Sequence, residues 1–212
     1  MSEEKGFLPM LKLGVILALY AAAACVGLAF VYAGTSEIIA QRQQADLETA
    51  LRELFPEADS FKTITDIKSG DPSVTIEGDK NNPDNSGAFE AVKNNVTIGV
   101  ALRTSRASYS GSIKILVGVA ADGKIMGINI LENTDTPGLG ANAGSKTYFI
   151  DRAKGIHFYD QFAGKSVEDP FVPKQDVNAI TAATITSTAV SASVKAAGEA
   201  AMVWMRNTGR VR

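Results

Sequence analysis

A run of 24 residues without a single charge, from Leu13 to Ser36, constrains this 212-residue chain more than any other feature. At about 1.5 Å per helical residue the run is about 36 Å long, and a bilayer core requires about 20 apolar residues. It therefore predicts a membrane-spanning helix. A cleaved secretory signal has a shorter apolar region, and a lipoprotein signal lipidated at Cys25 would normally turn polar after that residue, whereas Val26 to Gly34 stays apolar. We interpret the run as a retained anchor.

The basic residues beside the span predict its orientation. Lys5 and Lys12 precede it, and the nearest basic residue after it is Arg42. Because lysine and arginine close to a span favour the cytoplasmic side, we expect a cytoplasmic N-terminus and an extracytoplasmic C-terminal part. The sequence thus predicts a tail and transmembrane helix over 1–36.

The next segment has apolar residues at helical spacing. Leu47, Ala50, Leu51 and Leu54 recur every three or four residues. This pattern predicts a connecting helix over 37–56 that continues from the membrane or docks on the following domain, with Ser36 as a possible cap and a stop at Pro56.

Composition excludes several classes of protein. The chain is 45% hydrophobic and 21% charged, which suits one globular domain, and its net charge of −2 does not favour binding to nucleic acid. Its single cysteine excludes an internal disulfide, and its single histidine, His157, excludes a multi-histidine metal site. We expect His157 to be a surface or core residue rather than a catalyst. Neither a dinucleotide-binding GxGxxG nor a phosphate-binding GxxxxGK[ST] motif is present.

The remaining chain, 57–212, has the pattern of a mixed α+β domain with an antiparallel sheet and flanking helices. Its clearest signal is a hairpin, in which Ser112–Val119 and Lys124–Leu131 are joined by an Asp-Gly turn. The other predicted elements are short strands within Lys62–Gly78, a surface loop at Gly78–Gly87, a strand at Asn94–Arg103 and an amphipathic helix at Ala189–Met205.

Two segments are candidates for a ligand site. The loop Thr134–Gly140 contains Pro137-Gly138, which predicts a tight turn with positive φ, although a plain loop closing the hairpin would have the same sequence. The segment Asn178–Thr188 places five hydroxyl residues within eight positions beside a predicted helix. A helix N-terminus attracts phosphate, but a simple serine or threonine N-cap is the alternative.

The two segments together resemble a known family, the FMN-binding domain of the G subunit of the Rnf electron-transport complex and of the related C subunit of sodium-translocating NADH:quinone reductase. The family motif Asp-x-x-Ser/Thr-Gly-Ala-Thr is matched by Asn178-Ala179-Ile180-Thr181-Ala182-Ala183-Thr184, and its Glu-Thr-Pro-Gly-Leu-Gly loop by Asp135–Gly140. The resemblance also covers the N-terminal tail, the span and the helix after it. The chain length suits the Rnf subunit better.

The resemblance implies that FMN is joined through its phosphate to Thr184. The expected cofactor-binding residues around it are Thr181, Ala182, Ala183 and Ile185 in the second segment, and Thr136, Gly138 and Leu139 in the loop. Three positions depart from the family: Asn178 replaces Asp, Ala182 replaces Gly and Asp135 replaces Glu. Asp176 lies two residues too early to substitute for the motif aspartate.

The function implied is that of an electron-transfer subunit of a membrane-bound, ion-translocating ferredoxin:NAD oxidoreductase. Its partners would be the other membrane subunits of that complex, with a flavin transferase for maturation. The chain would be a redox relay within a multisubunit enzyme, without an acid–base residue or a metal of its own. The alternatives are the quinone-reductase C subunit and a membrane-anchored scaffold domain that lacks flavin.

Overall fold

The computed structural model of the chain describes residues 4–78 and 87–210, and side chains from residue 9 onward. Contacts within the chain divide it into two units, at Asp46 and Leu47. The predicted surface loop at Gly78–Gly87 lies outside the described residues except for its two ends.

The described part of the first unit is the portion of helix α1, Glu4–Leu54, up to Asp46, and the last residues of α1 belong to the second unit. Among the described residues α1 is the one helix long and apolar enough to cross a membrane. Its large apolar side chains from Met10 to Ile39 are exposed, as expected of a helix that packs against lipid. The expectation that Ser36 caps a second helix is wrong. The helix is continuous there, and the Ser36 hydroxyl instead lies 3.5 Å from the carbonyl oxygen of Ala33.

The second unit is built on a six-stranded antiparallel sheet. Its strands are β1 Ser60–Thr63, β2 Val74–Ile76, β3 Ala88–Lys93, β4 Val96–Ala107, β5 Ser112–Ala120 and β6 Ile125–Asn133. Strands β3, β4, β5 and β6 are consecutive neighbours, and β1 pairs with β3. The long strand β4 pairs with β3 along one part of its length and with the short strand β2 along another. A small hairpin of β7 Phe149–Asp151 and β8 Ile156–His157 follows, and helix α2, Thr184–Asn207, comes last.

Apolar side chains cover both faces of the sheet. Along β5, alternate residues such as Ile115 and Val117 join the main core beneath α2, whereas Leu116 points to a second cluster formed with the end of α1. Phe55, directly after α1, lies so close to the sheet that a side chain at Gly99 would come within 2.5 Å of its ring. The sequence signal for this sheet is therefore mixed, since a strand buried on both sides lacks alternation.

The predicted hairpin is confirmed as β5 and β6, joined by a turn in which Gly123 has φ +81°. Strand β4 extends four residues beyond the predicted strand, and β3 was not predicted at all. Helix α2 begins five residues earlier than predicted, at Thr184 instead of Ala189. Four of the five hydroxyl residues, from Thr184 to Thr188, therefore lie at the start of α2, and this turn is where the candidate site lies.

Candidate functional site

Thr184 is the first residue of α2 and is exposed. The residue before it, Ala183, occupies the N-cap position and has no side chain that could bond the helix amides, so the serine or threonine cap that the sequence left open is absent. The first amides of a helix have no carbonyl partner within it. Within the described chain the Thr184 hydroxyl makes no hydrogen bond either. An accessible hydroxyl thus lies beside amides that no side chain caps.

The other hydroxyl groups of the segment divide into two kinds. Thr186 and Ser187 are buried and occupied: Thr186 donates to Asp135, while Ser187 accepts from the amide of Ile180 and donates to the carbonyl oxygen of Ala183, both at 2.9 Å. Thr181 and Thr188 are exposed, like Thr184. Burial therefore leaves three of the five hydroxyl groups open to chemistry.

Ala182 adopts a backbone conformation that favours glycine. Its φ is +59°, in the left-handed region, where a Cβ atom crowds the following carbonyl oxygen. The resembling family has glycine at this position, and the turn explains that choice. Ala183, by contrast, is buried in the main core, so its methyl group is not available to a ligand.

The loop Thr136–Gly140 forms the tight turn that the sequence predicts. Gly138 has φ +78°, and the amide of Leu139 donates to the carbonyl oxygen of Thr136 at 3.1 Å. Leu139 is 41% exposed. Gly140 lies against α2: a side chain there would clash with the Thr186 hydroxyl and come within 2.7 Å of the Asp135 side chain. The structure thus brings the two predicted segments together at the first turn of α2.

The carboxylate of Asp135 joins the elements that meet at this turn. It accepts hydrogen bonds from the Thr186 hydroxyl at 2.6 Å, from the Ser110 amide at 2.7 Å and from the Ser108 hydroxyl. Ser108 and Ser110 lie in the turn between β4 and β5. Asp135 is only 4% exposed, and its own amide donates to the Asn133 side chain at 2.9 Å. One buried carboxylate, which we call the Asp135 hub, therefore links a strand turn, the loop and α2.

Hydrogen bonding keeps Asp135 ionised despite its burial. Desolvation acts to raise the pKa of this carboxyl group, but donors from Ser108, Thr186 and the backbone of Ser110 and Tyr109 outweigh it, and the pKa is lowered. The carboxylate is therefore a negatively charged hydrogen-bond acceptor near neutral pH, and not a group that exchanges protons there.

Two clefts border Thr184. The larger, about 710 Å³ in volume, extends along Asn178–Ala182 and includes the cationic side chains of Arg152 and Lys174. Neither cation forms an ion pair with a described carboxylate. The smaller cleft, about 220 Å³, lies between the end of β4 and the first turns of α2, and is lined by Arg106, Ala107, Thr184, Ile185, Thr188 and Ala189. Free amides, an open hydroxyl group and two cations without a described ion-pair partner fit a phosphate ester at Thr184.

The structure also shows the surroundings of Asn178, the first residue of the motif, and of the nearby Asp176. Asp176 accepts hydrogen bonds from the amides of Phe171 and Val172 and from the Lys165 side chain. Desolvation acts to raise the pKa of Asp176, but these hydrogen bonds and the charge of Lys165 outweigh it, and the pKa is lowered. This carboxylate is thus committed to its own turn and does not replace the motif aspartate. Asn178, whose backbone pairs with the Gln161 side chain, lines the larger cleft.

His157 is part of an aromatic stack. Its ring lies between Phe149, with centroids 4.4 Å apart, and Tyr159, at 5.3 Å. Its Nδ1 atom is 3.0 Å from the carbonyl oxygen of Tyr148.

Sequence reasoning did not identify Arg106, Arg152 and Lys174 as neighbours of Thr184, and it treated Asp135 only as a motif position. Arg152 and Lys174 lie in irregular segments, so no periodic pattern marks them. Asp135 had one usable signal, since an acidic residue directly before a Thr-Pro-Gly turn is well placed to bond nearby amides.

Two family models match the chain. The FMN-binding domain matches residues 108–199, which contain the loop, the Asp135 hub and Thr184. The RnfG N-terminal region matches residues 1–54, which contain the whole of α1 with the candidate span.

Curated relatives match over most of their own length. The G subunit of the Na⁺-translocating ferredoxin:NAD⁺ oxidoreductase complex of Acetobacterium woodii is 32% identical, over 86% of this chain and 87% of the relative. The G subunit of the proton-translocating complex of Clostridium ljungdahlii is also 32% identical, over 81% and 80%. The G subunit of the ion-translocating oxidoreductase complex of Aliivibrio fischeri is 30% identical, over 94% and 91%. With these identities over nearly its whole length, the chain belongs to the family of G subunits of Rnf-type ion-translocating oxidoreductase complexes.

Proposed function

We propose that this chain is an electron-transfer subunit of a membrane-bound, ion-translocating ferredoxin:NAD oxidoreductase complex, and that it carries FMN through a phosphoester at Thr184. Its partners are the other membrane subunits of the complex. A flavin transferase forms the phosphoester by moving FMN from a flavin dinucleotide to the Thr184 hydroxyl, which loses its proton as the phosphate–phosphate bond breaks and the second nucleotide leaves. Residues 1–36 provide the cytoplasmic tail and anchor, 37–56 the connecting helix, and 57–212 the FMN-binding domain.

One observation carries the choice of Thr184: among the exposed hydroxyl residues of the segment, it alone borders both clefts. Thr181 borders the larger cleft only, and Thr188 the smaller only. Thr184 also begins α2, where the helix dipole and the first amides favour a negatively charged group. A phosphate at this hydroxyl can therefore lie at the helix terminus while the rest of the cofactor extends into a cleft.

The surrounding residues suit the separate parts of FMN. Arg152 and Lys174, on the larger cleft, favour the charge of the phosphodiester. Thr181 and Ala182 form the turn that leads into Thr184. Ile185 on α2 and Thr136, Gly138 and Leu139 in the loop offer an uncharged surface next to the same helix turn, which suits the flavin ring or the ribityl chain.

Flavin supplies the redox chemistry by accepting and donating electrons, and the protein supplies position and environment. The described site needs no acid–base group for that task, since its residues bind, orient and cover. The phosphoester also fits the predicted extracytoplasmic location, because a tethered cofactor is not lost by dilution.

Flavin fluorescence in a denaturing gel tests the proposal directly. The full-length chain is produced together with the flavin transferase of its own host, and Thr184→Ala, Thr181→Ala and Thr188→Ala are run beside it. Because only a covalent flavin remains with the denatured band, we expect fluorescence in the wild type and both controls and none in Thr184→Ala.

Other outcomes lead to different conclusions. A loss of fluorescence in Thr181→Ala or Thr188→Ala instead of Thr184→Ala would move the attachment site. A dark wild-type band whose folded protein still binds added FMN would remove the covalent link only. A dark band with no FMN binding would favour the scaffold alternative.

A further inference from the structure

Three exposed apolar side chains belong to the segments that the Asp135 hub connects. Tyr109 is 69% exposed, Ile185 is 55% exposed and Leu139 is 41% exposed. Each comes from a different segment, namely the β4–β5 turn, the first turn of α2 and the loop after β6. We call Tyr109, Leu139 and Ile185 the apolar rim. Exposed apolar groups gathered from separate segments are typical of a binding surface.

The hub fixes the backbone beside each member of the rim. Tyr109 lies between Ser108 and Ser110, which both donate hydrogen bonds to Asp135. The backbone of Tyr109 also interacts with that carboxylate as a hydrogen-bond donor. Ile185 precedes Thr186, a third donor to Asp135. Leu139 precedes Gly140, which packs directly on Thr186 and Asp135. One buried carboxylate therefore holds the backbone segments that carry the three rim residues.

The smaller cleft adjoins the rim. Ile185 belongs to both, and Ala107, which ends β4 two residues before Tyr109, lines the cleft together with Thr184. Among the described residues, no side-chain hydrogen bond holds Tyr109. Its large ring is exposed on a turn that Asp135 holds in place, and it is therefore available to pack against a ligand.

We propose that Tyr109 is a flavin-positioning residue, whose ring packs against the isoalloxazine ring of FMN on the apolar rim formed with Leu139 and Ile185. The inference rests on the proposed function, since it concerns the same cofactor. It also places the flavin ring on the side of the smaller cleft, away from Tyr148, the aromatic residue that lines the larger one. Two flat aromatic rings in offset contact bury apolar area on both sides.

Flavin fluorescence in the folded protein tests the inference, because a tyrosine or tryptophan in contact with a flavin quenches its emission by electron transfer. The variants are Tyr109→Leu, Tyr109→Trp and, as matched control, Tyr148→Leu, each in the full-length chain. Emission is measured in the folded protein and then after denaturation, which gives the amount of flavin in each sample. We expect emission per flavin to rise several-fold in Tyr109→Leu, to remain low in Tyr109→Trp and to be unchanged in Tyr148→Leu.

The same samples separate the two possible failures. If the denatured bands fluoresce but folded Tyr109→Leu is quenched like the wild type, the inference is overturned and the phosphoester stands. A rise in Tyr148→Leu alone would place the ring in the larger cleft and would also overturn it. If no band fluoresces, the phosphoester fails, and FMN added to the folded chain is the probe. Weaker quenching by Tyr109→Leu than by the wild type then supports the inference, and equal emission overturns it.

Discussion

At the scale of single residues, Ala182 has a backbone conformation that its side chain disfavours. A left-handed conformation costs a residue with a Cβ atom about 1–2 kcal/mol, whereas glycine loses about 0.5–1 kcal/mol of additional chain entropy on folding. Because Ala182 has φ +59°, we expect Ala182→Gly to stabilise the domain by roughly 0.5–1 kcal/mol. Urea unfolding of the solubilised full-length chain measures this change.

Ala179→Gly is the matched control, because Ala179 lies in the same segment but outside the left-handed region. That variant should lose about 0.5–1 kcal/mol of stability. Equal destabilisation by both glycines would mean that strain at Ala182 does not limit stability.

Gly140 presents the opposite case, in which space rather than φ requires glycine. A methyl group there would clash with the Thr186 hydroxyl and lie 2.8 Å from a carboxylate oxygen of Asp135. We therefore expect Gly140→Ala to reduce the free energy of unfolding by about 1–3 kcal/mol, the usual cost of overpacking. Gly70→Ala, with open space and no positive φ, is the control and should be close to neutral. A neutral Gly140→Ala would contradict the close packing of loop and helix.

At the scale of elements, Asp135 makes the contact between loop, turn and α2 dependent on pH. The pKa of its carboxyl group is lower in the folded chain than the value of about 3.9 expected in the unfolded chain. Its contribution to stability is therefore complete above that unfolded value and is lost as pH falls through it toward the folded pKa. Asp135→Asn should reduce stability by about 2–3 kcal/mol near neutral pH, because hydrogen bonds to a charged group are lost.

Unfolding by urea at about pH 7 and about pH 3 measures both effects. The wild type should lose more stability than Asp135→Asn between these two conditions. Glu199→Gln, on the exposed face of α2, is the control and should behave as the wild type does. An identical pH dependence in wild type and Asp135→Asn would show that the hub does not govern the acid response.

The elements also show which parts of the fold the sequence could predict. The β5–β6 hairpin was predicted within two residues at its ends, because an Asp-Gly turn separates two runs rich in isoleucine and valine. Strand β3 was missed because five of its six residues are buried, so neither face leaves a polar alternation. The end of β4 was missed because Thr104 and Ser105 are polar, although both are buried between paired strands.

The candidate site also contains features that the sequence could predict and features that it could not. The loop turn could be derived from its local motif, because glycine and proline fix backbone angles at known offsets. Thr184 was chosen by its resemblance to a family motif and stays a prediction. The start of α2 could not be derived, since threonine and serine compete with the backbone for hydrogen bonds and are typical of helix boundaries. The cations of the larger cleft and the three partners of Asp135 meet only through tertiary packing, which no spacing along the chain reveals.

At the scale of the whole molecule, the relatives indicate the type of complex, and they include complexes that move different ions. The chain is equally identical, at 32%, to a subunit from a Na⁺-translocating complex and to one from a proton-translocating complex. Overall identity is thus the same for relatives that move different ions. This agrees with a subunit that transfers electrons, a task that is the same for either ion.

The membrane orientation is the prediction that connects the anchor to the cofactor, since it decides on which side of the membrane Thr184 lies. Lys5 and Lys12, beside the span, predict a cytoplasmic N-terminus. In a Cys25→Ser background, which removes the single native cysteine, we expect an impermeant maleimide to label Glu168→Cys in spheroplasts without lysis, because Glu168 is exposed on the C-terminal domain. Ser2→Cys should react only after lysis. Labelling in the reverse order would place the domain in the cytoplasm. Retention of the cofactor outside the cell membrane would then not explain the proposed phosphoester at Thr184.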